Sequence, residues 1–417
     1  MESLSEYIEA VKQSKAEKFA YVNLSLLLLF CCKPYFRWFM PSGMYQLLFL
    51  LTISYSLYRL SAFDYGQYNE AYKRNLIIII CVFAIIFNLP VIHDFHPAYF
   101  LDNIIFAEIL FLPACIYQEA FNLLKKIFYW ICLFAIVVWI VHLIGFDLPH
   151  YKLLHPSFRV NPIENYRIYG FSVSMYRGAG FENGMERICG LFAEPGHFGI
   201  YLGFIMAANG FRFNTKQDIV MLIAGILTFS TAFYGILTIG LIYRIINHND
   251  SCSDLRKIAI ICCIAIPCLL ANEKFRNTAI NRVIGERNDV TVVDLVENRV
   301  TESTQKSYQQ FVRSSALWIG MGTTDVEIVQ ETNWRGGLYR YGIIGIAILS
   351  VLLIYMISIV SPKYKLLILA MSILVMSHRM YMMVHGGLLM LVFFAVTINS
   401  IEEGSEDSEE CANDDCF

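Results

Sequence analysis

The sequence predicts an all-α polytopic membrane protein with about twelve transmembrane helices and two large extracytoplasmic loops. Of its 417 residues, 57% are hydrophobic and only 16% are charged, whereas soluble domains carry about 25% charged residues. Apolar runs of about 18 or more residues recur along the chain, and each is long enough to cross a bilayer. The net charge of −3 gives no reason to expect nucleic acid as a partner.

Eleven apolar runs are interpreted as membrane spans. The first follows Lys15 and Lys18, and no small-residue cleavage site comes after it, so we interpret it as a retained anchor and not a removed signal peptide. Residues 1–18 fit either an interfacial helix or a frayed tail. The runs occupy residues 19–38, 44–62, 75–92, 98–118, 126–146, 190–211, 218–246, 256–271, 337–360, 364–380 and 383–401.

Clusters of Lys and Arg in the short connections assign those connections to the cytoplasm, because basic residues are retained on that side of the membrane. The first three clusters agree with a cytoplasmic N-terminus. The clusters lie at Lys73-Arg74, Lys125-Lys126, Arg212 with Lys216, Arg244 with Arg256-Lys257, and Lys363 with Lys365.

One apolar run conflicts with this assignment. Residues 218–246 separate the clusters at Arg212 and Arg244, and a single crossing would put those clusters on opposite sides. As one helix the run would extend about 44 Å. We therefore predict two short crossings with a break near residues 229–231, which gives twelve crossings and places both termini in the cytoplasm. The alternative is one long tilted helix and eleven crossings.

The spans predict a single integral membrane domain over residues 1–401. Two connections are long, at about 147–189 and 272–336, and the topology places both outside the cytoplasm. Residues 402–417 carry eight acidic side chains, a composition that predicts a disordered cytoplasmic tail.

The two long loops are rich in arginine, with ten of the eighteen arginines of the chain. One interpretation is that long loops translocate regardless of charge and that these arginines are solvated or paired with nearby acidic residues. The other is an anionic ligand at the outer membrane face, since the planar guanidinium binds phosphate through two hydrogen bonds. The ten are Arg159, Arg167, Arg177, Arg187, Arg276, Arg282, Arg287, Arg299, Arg313 and Arg335.

The location of these arginines narrows the choice of anion. ATP and nucleotide sugars are cytoplasmic, so an external phosphate site beside the bilayer indicates a lipid-linked phosphate or pyrophosphate. The sequence has no Walker or Rossmann glycine pattern and no GxSxG nucleophile motif. The loops also lack a DxD-type acidic pair, so we expect neither a metal ion nor a cofactor.

Four segments, in this order along the chain, resemble motifs of the O-antigen polymerase and ligase (Wzy/WaaL-like) family. They cover roughly residues 180–350. The helices before them resemble the family only in their general apolar character. The segments are R-I-C-G-L-F-A-E-P-G-H-F-G at 187–199, L-T-F-S-T-A at 227–232, W-I-G-M-G at 318–322, and N-W-R-G-G-L-Y-R-Y-G-I-I-G at 333–345.

The resemblance implies transfer of glycan units from undecaprenyl pyrophosphate at the periplasmic face of the bacterial inner membrane. Two positions depart from the family pattern: Thr231 stands where arginine is common, and Thr332 where ligases carry histidine. The second departure favours a polymerase of oligosaccharide repeat units over a ligase that transfers glycan to a lipid A-core or other acceptor. A polysaccharide transporter or flippase is a third hypothesis.

The partners implied are the lipid-linked oligosaccharide, membrane lipids and a chain-length regulatory protein. The enzyme would be a metal-independent membrane glycosyltransferase with a lipid-pyrophosphate donor. Breaking the sugar–pyrophosphate bond builds negative charge on the leaving group, and fixed guanidinium groups stabilise that charge. We expect Arg187 and Arg299, one from each loop, to have this role, with ordinary ion pairing as the alternative.

Glu194 is the candidate base for the acceptor hydroxyl. It lies where the first loop meets an apolar run, next to Pro195, so its carboxylate would be partly desolvated. The alternative is that Glu194 caps the N-terminus of the following helix. Further loop residues are candidates for substrate binding, and they are Arg159, Arg167, Arg177, Arg313, Asn333 and Arg335.

Overall fold

The computed structural model describes residues 2–41, 43–63, 97–146, 148–154, 164–177, 187–192, 194–247, 308–322, 334–359 and 362–384. This part of the chain is mostly helical, as predicted. Two of its helices are long and apolar enough to cross a membrane, over Cys115–Leu143 and Trp334–Tyr355. The predicted spans at 75–92 and 256–271, most of the last span and the acidic tail lie outside the described residues.

The described residues contain nine helices with full bounds, a helical stretch at residues 308–312 and four strands. The helices are α1 (Glu2–Cys31), α2 (Met44–Leu60), α3 (Pro97–Leu110), α4 (Ala114–Leu143), α5 (Pro195–Ala208), α6 (Lys216–Leu227), α7 (Thr231–Asn247), α8 (Trp334–Ile359) and α9 (Pro362–Val384). The strands are β1 (Tyr151–Leu154), β2 (Glu164–Ile168), β3 (Val173–Arg177) and β4 (Arg187–Ile188), and short 3₁₀ turns occupy Tyr35–Phe39 and Ser315–Leu317.

The chain divides into two compact units. The first unit comprises Met1–Cys32, Phe39–Lys125 and Thr301–Phe417, and the second comprises Lys33–Trp38 and Lys126–Val300. Among the described elements, α1 to α3, α8 and α9 therefore belong to the first unit. The sheet and α5 to α7 belong to the second.

The first predicted span ends earlier than expected. Helix α1 runs without interruption from Glu2 to Cys31, so residues 2–18 form neither a separate interfacial helix nor a frayed tail. Its C-terminus is fixed by Lys33 and Pro34. Lys33 takes a left-handed conformation with φ 55°, and proline disfavours helical geometry in the residue before it.

The predicted connection at Lys125-Lys126 is wrong. Both lysines lie inside α4, which is continuous from Ala114 to Leu143. The chain breaks instead at residues 111–113, between α3 and α4. The physical reason is Pro113, which restricts the residue before it and cannot continue a helix, whereas a pair of lysines is compatible with helical backbone.

The predicted break near residues 229–231 is confirmed. Helix α6 ends at Leu227 and α7 begins at Thr231. Phe229 between them has φ 49°, the left-handed conformation that commonly terminates a helix. The start of α6 is fixed by a capping box, in which Thr215 and Asp218 each bond the other's backbone N–H.

The described residues of the first long loop include four strands, and the all-α prediction is wrong there. Strands β1 to β4 form an antiparallel sheet in sequence order. Ile168 pairs with Val173 across the β2–β3 hairpin, and Tyr169 N–H donates to Ser172 O at 2.8 Å. The turn thus contains only Gly170 and Phe171. Gly170 has φ 78°, which is the glycine position of a type II′ hairpin turn.

In the first unit, the helices pack through aromatic and small polar residues. Phe30 of α1 lies 5.2 Å from the ring of Phe49 and 6.4 Å from that of Tyr45, both on α2. Ser25 of α1 donates a hydrogen bond to the Ala120 carbonyl of α4 at 3.0 Å. Interhelical hydrogen bonds of this kind suit helices that pack in an apolar environment.

In the second unit, α5 is the central helix, because every one of its residues is buried. Two glycines one turn apart let α7 approach closely. A Cβ on Gly199 would lie 2.9 Å from Phe233 Cβ, and one on Gly203 would lie 2.6 Å from Ile236 Cγ2. This is the small-xxx-small pattern of close helix pairs in membranes.

Helix α8 contains a kink at Gly342, where φ is 63° and ψ is −178°. Only glycine adopts this region without large strain. The kink brings α8 against the segment at 318–322, since Met321 N–H donates to Tyr339 O at 2.7 Å and Ile344 N–H donates to Trp318 O at 3.1 Å.

We expect Gly342→Ala to destabilise the protein by more than about 3 kcal/mol, since backbone strain of about 1–3 kcal/mol adds to overlap. The new Cβ would lie 2.5 Å from Gly320 N and from Trp318 O. Gly43→Ala is the matched control, because Gly43 has φ 84° with nothing within 4 Å. Thermal unfolding in detergent measures both variants, and equal losses would contradict the backbone contact.

Candidate functional site

The candidate site in the second unit is built around the break between α6 and α7. Thr228 donates its hydroxyl proton to the Gly225 carbonyl at 2.6 Å. Ser230 accepts the N–H of Phe233 at 3.4 Å and so caps the first turn of α7. The break therefore has its own short-range hydrogen bonds, but the last carbonyls of α6 need donors from elsewhere.

Arg187 on β4 supplies donors to the C-cap residue of α6 and to the residue after it. Its Nε donates to the Thr228 carbonyl at 3.0 Å and its Nη2 donates to the Phe229 carbonyl at 3.0 Å. A positive charge is also favourable here, because the C-terminus of a helix carries partial negative charge. Arg187 is thus anchored to main-chain atoms. Neither the hypothesis of phosphate binding nor the alternative of ion pairing predicted this arrangement.

Glu194 and His197 lie at the start of the buried helix α5. Glu194 occupies the N-cap position with extended backbone (φ −143°, ψ 145°), but its side chain makes no capping hydrogen bond. Its Oε2 instead lies 3.8 Å from His197 Nε2, with only 16% of the glutamate side chain and 11% of the histidine side chain exposed. A carboxylate that is largely shielded from solvent beside an imidazole can accept a proton and pass it on.

The two parts of the site meet through the packing of α5 against the break. A Cβ on Gly199 would lie 3.2 Å from Thr228 Oγ1 and 3.3 Å from Ser230 Cβ. Phe192, between Arg187 and Glu194 in sequence, packs against Phe198 with ring centroids 5.6 Å apart. We call Arg187, Glu194, His197 and residues 228–230 the α5 site. It unites the first two segments that carry the family resemblance.

The third and fourth segments also contact each other, within the first unit. Gly320 and Gly342 face each other so closely that a Cβ on either would lie 2.4–2.5 Å from backbone atoms of the other segment. Gly322 N–H donates to the Arg340 carbonyl at 3.2 Å. The G-x-G pattern at 320–322 is therefore explained by close backbone approach.

An arginine between aromatic rings lies at the start of α8. The Arg335 guanidinium carbon is 5.6 Å from the centre of the Tyr308 ring and 5.9 Å from that of Trp334. Behind them, Phe311 and Tyr339 pack with ring centroids 4.9 Å apart. Trp334 is 44% exposed. We call Tyr308, Trp334 and Arg335 the α8 aromatic cluster.

The other predicted site residues are dispersed. Arg167 is opposite Ser174 and Arg187 is opposite Met175. Successive residues of a strand point to opposite faces, so Arg167 and Arg187 lie on opposite faces of the sheet.

Arg177 ends β3, opposite Glu164, and Arg313 is exposed in the first unit. Arg159, Arg299 and Asn333 lie outside the described residues. The part of the chain that the structure describes holds no group of three or more His, Cys, Asp or Glu side chains placed to bind a metal ion.

Two features of the α5 site were not predicted from the sequence. The carbonyls of Thr228 and Phe229 are main-chain atoms, and no residue type signals their role. His197 was given no functional role from the sequence, although its spacing of three residues from Glu194 places both on one helical face. That spacing at a helix start was the available signal.

Comparison with known proteins adds no assignment to this geometry, because no protein-family model, no curated protein and no solved structure matches the chain.

We expect Arg187→Lys to lower the free energy of unfolding by about 2 kcal/mol, because an ammonium group cannot bond both carbonyls in the geometry of a guanidinium. Thermal unfolding in detergent is the measurement. Arg313→Lys is the matched control, since Arg313 is exposed and should change stability little. Equal stability of the two variants would contradict the anchoring of the α6 C-terminus by Arg187.

Proposed function

We propose that this protein is a polymerase of undecaprenyl-pyrophosphate-linked oligosaccharide repeat units, acting at the periplasmic face of the bacterial inner membrane. The observation that carries the proposal is the α5 site. Arg187 is anchored to the carbonyls of the helix break, and α5, which begins with the Glu194–His197 pair, packs against the same break at Gly199. The product would be O-antigen or another surface polysaccharide. The proposed enzyme is a metal-independent glycosyltransferase.

The proposed reaction exchanges one bond for another. The oxygen of an acceptor sugar hydroxyl attacks the anomeric carbon of the donor glycan. The bond from that carbon to the pyrophosphate oxygen breaks, and its electron pair leaves with undecaprenyl pyrophosphate. The hydroxyl proton passes to a base on the protein. No oxidant, reductant or further substrate is needed.

Arg187 is the proposed stabiliser of the leaving group. Its orientation is set by the carbonyls of Thr228 and Phe229 before any substrate binds. A charge that is already oriented stabilises a developing negative charge without reorganisation during the reaction. Arg299 is the proposed second guanidinium, from the second loop.

Glu194 is the proposed base. Its carboxylate makes no capping hydrogen bond and lies 3.8 Å from the His197 ring nitrogen. Glu194 would accept the hydroxyl proton, and the neighbouring imidazole of His197 would then carry that proton away. The location at the N-terminus of α5 also favours a negatively charged group, whether carboxylate or pyrophosphate.

The α8 aromatic cluster supports a glycan substrate. Exposed aromatic rings such as Trp334 offer flat apolar faces to sugar rings, and Arg335 adds a cation that binds acidic sugars or phosphate. Arg159, Arg167, Arg177, Arg313 and Asn333 are further proposed substrate contacts. A chain-length regulatory protein is the proposed partner.

The proposed topology has about twelve crossings with both termini in the cytoplasm. Support comes from the apolar helices α4 and α8 and from the break between α6 and α7. At about 1.5 Å per residue, α6 spans about 18 Å, so it crosses the hydrocarbon only together with residues that flank it.

We expect Glu194→Gln to reduce chain extension about 100-fold or more, because the amide cannot accept the hydroxyl proton. The measurement is polymer formation from lipid-linked repeat units by purified protein in liposomes. Glu119→Gln, an exposed residue of α4, is the control and should retain activity.

Three results would overturn the proposal. Retained chain extension by the Glu194→Gln variant would show that Glu194 is not the base. Transfer of intact glycan to a lipid A-core without extension would indicate the ligase. Movement of the lipid-linked glycan between leaflets without any new bond would indicate the flippase.

A label on Thr231→Cys tests the topology. Thr231 is exposed at the break, and the twelve-crossing scheme places it outside the cytoplasm. A membrane-impermeant maleimide should therefore react with it from the periplasmic side of spheroplasts, above the background of the wild-type cysteines. Lys216→Cys, also exposed, is the matched control and should react only after lysis. Reaction of residue 231 from the cytoplasmic side alone would exclude the scheme.

A further inference from the structure

We propose that the tip of the β2–β3 hairpin is immersed in the hydrocarbon of the bilayer, with Phe171 in contact with lipid. This inference goes beyond the proposed function, since it concerns where the first loop lies and not what it catalyses. Phe171 is the second residue of the two-residue turn and is 71% exposed. Its ring contacts the exposed apolar face of α4, and an apolar patch of this kind marks an interaction surface.

Helix α4 provides the reference for membrane depth. Its apolar stretch, Cys115–Leu143, is long enough to cross a membrane. One face of α4 is buried in the protein, at Cys132, Ala135 and Val138. The opposite face carries large apolar side chains at helical spacing, all at least 38% exposed, and a bilayer is the solvent that suits such a face. They are Trp130, Phe134, Val137 and Ile140.

The hairpin tip contacts this exposed face directly. The rings of Phe171 and Phe134 meet edge to face, with centroids 6.1 Å apart and planes at 89°. Phe134 lies nine residues before the end of α4 at Leu143. At about 1.5 Å per residue, the contact is about 13 Å along the helix from that end. The stretch Cys115–Leu143 is about 43 Å long and a hydrocarbon core is about 30 Å thick, so Phe134 lies within the core whichever end of the stretch meets its boundary. Phe171 therefore lies at hydrocarbon depth if α4 spans the membrane.

The backbone of the hairpin is suited to this environment. Irregular backbone at membrane depth needs internal hydrogen bonds, because lipid offers none. The strands satisfy their own groups, and Tyr169 N–H donates to Ser172 O at 2.8 Å. The Gly170 carbonyl in the turn accepts a hydrogen bond from the Tyr35 hydroxyl at 2.8 Å. A turn of two residues leaves few other groups to satisfy.

Lipid cross-linking tests the inference on the full chain in its membrane. The photoreactive residue p-benzoylphenylalanine replaces Phe171, a change that retains an aromatic side chain. Membranes of phosphatidylethanolamine and phosphatidylglycerol are irradiated, and mass spectrometry detects lipid adducts on the purified protein. Ile140 on the exposed face of α4 is the lipid-facing reference position. Lys216, exposed at the start of α6, is the aqueous reference.

We expect the lipid adduct at residue 171 to equal that at residue 140 and to exceed that at residue 216 by at least about tenfold, since only hydrocarbon-facing positions contact acyl chains continuously. An adduct at 140 without one at 171 would overturn the inference. Cross-links from 171 to protein alone would show that another part of the chain or a second copy covers the tip. Absence of adducts at both 140 and 171 would show that α4 does not span the membrane, and the inference would then be wrong.

Discussion

The anchoring of the α6 C-terminus by Arg187 is the interaction on which the second unit depends. A helix that ends at buried residues, as α6 does at Thr228, leaves carbonyl groups that need partners, and each one left unpaired costs about 1–3 kcal/mol. Arg187 bonds the carbonyl of the C-cap residue Thr228 and that of Phe229 just beyond it. The strand that carries Arg187 must therefore lie beside the break, so the sheet of the first loop, α6 and α7 are positioned together.

This structural use of Arg187 strengthens its proposed chemical use. A free arginine side chain loses conformational entropy when it binds an anion, whereas a guanidinium already bonded to backbone has lost most of that freedom on folding. The same reasoning applies to Glu194. Its backbone starts α5 by accepting the N–H groups of His197 and Phe198, so the carboxylate is held at the helix start without serving as a cap.

The sequence predicted those features that rest on charge and apolar length. The conflict between the clusters at Arg212 and Arg244 placed the α6–α7 break correctly. The connection predicted from charge at Lys125-Lys126 was wrong. Basic residues determine on which side of a membrane a segment lies, but they do not interrupt a helix as Pro113 does. The sheet was missed because strands of two to five residues leave a weak pattern, although the Gly170 turn was a signal. The partners of Arg187 were unpredictable because main-chain carbonyls belong to every residue.

Glycine explains why separate sequence segments converge in each unit. Gly199 and Gly203 admit α7 against α5, and Gly320 and Gly342 admit backbone against backbone in the first unit. At Gly342 the positive φ and the missing Cβ are both required, so no other residue meets the two conditions at once. A glycine at such a position thus encodes the approach of two segments. Charged residues of the same segments lie beside these approaches, with Arg187 bonded to the break that Gly199 packs against and Arg335 in the helix that Gly342 kinks.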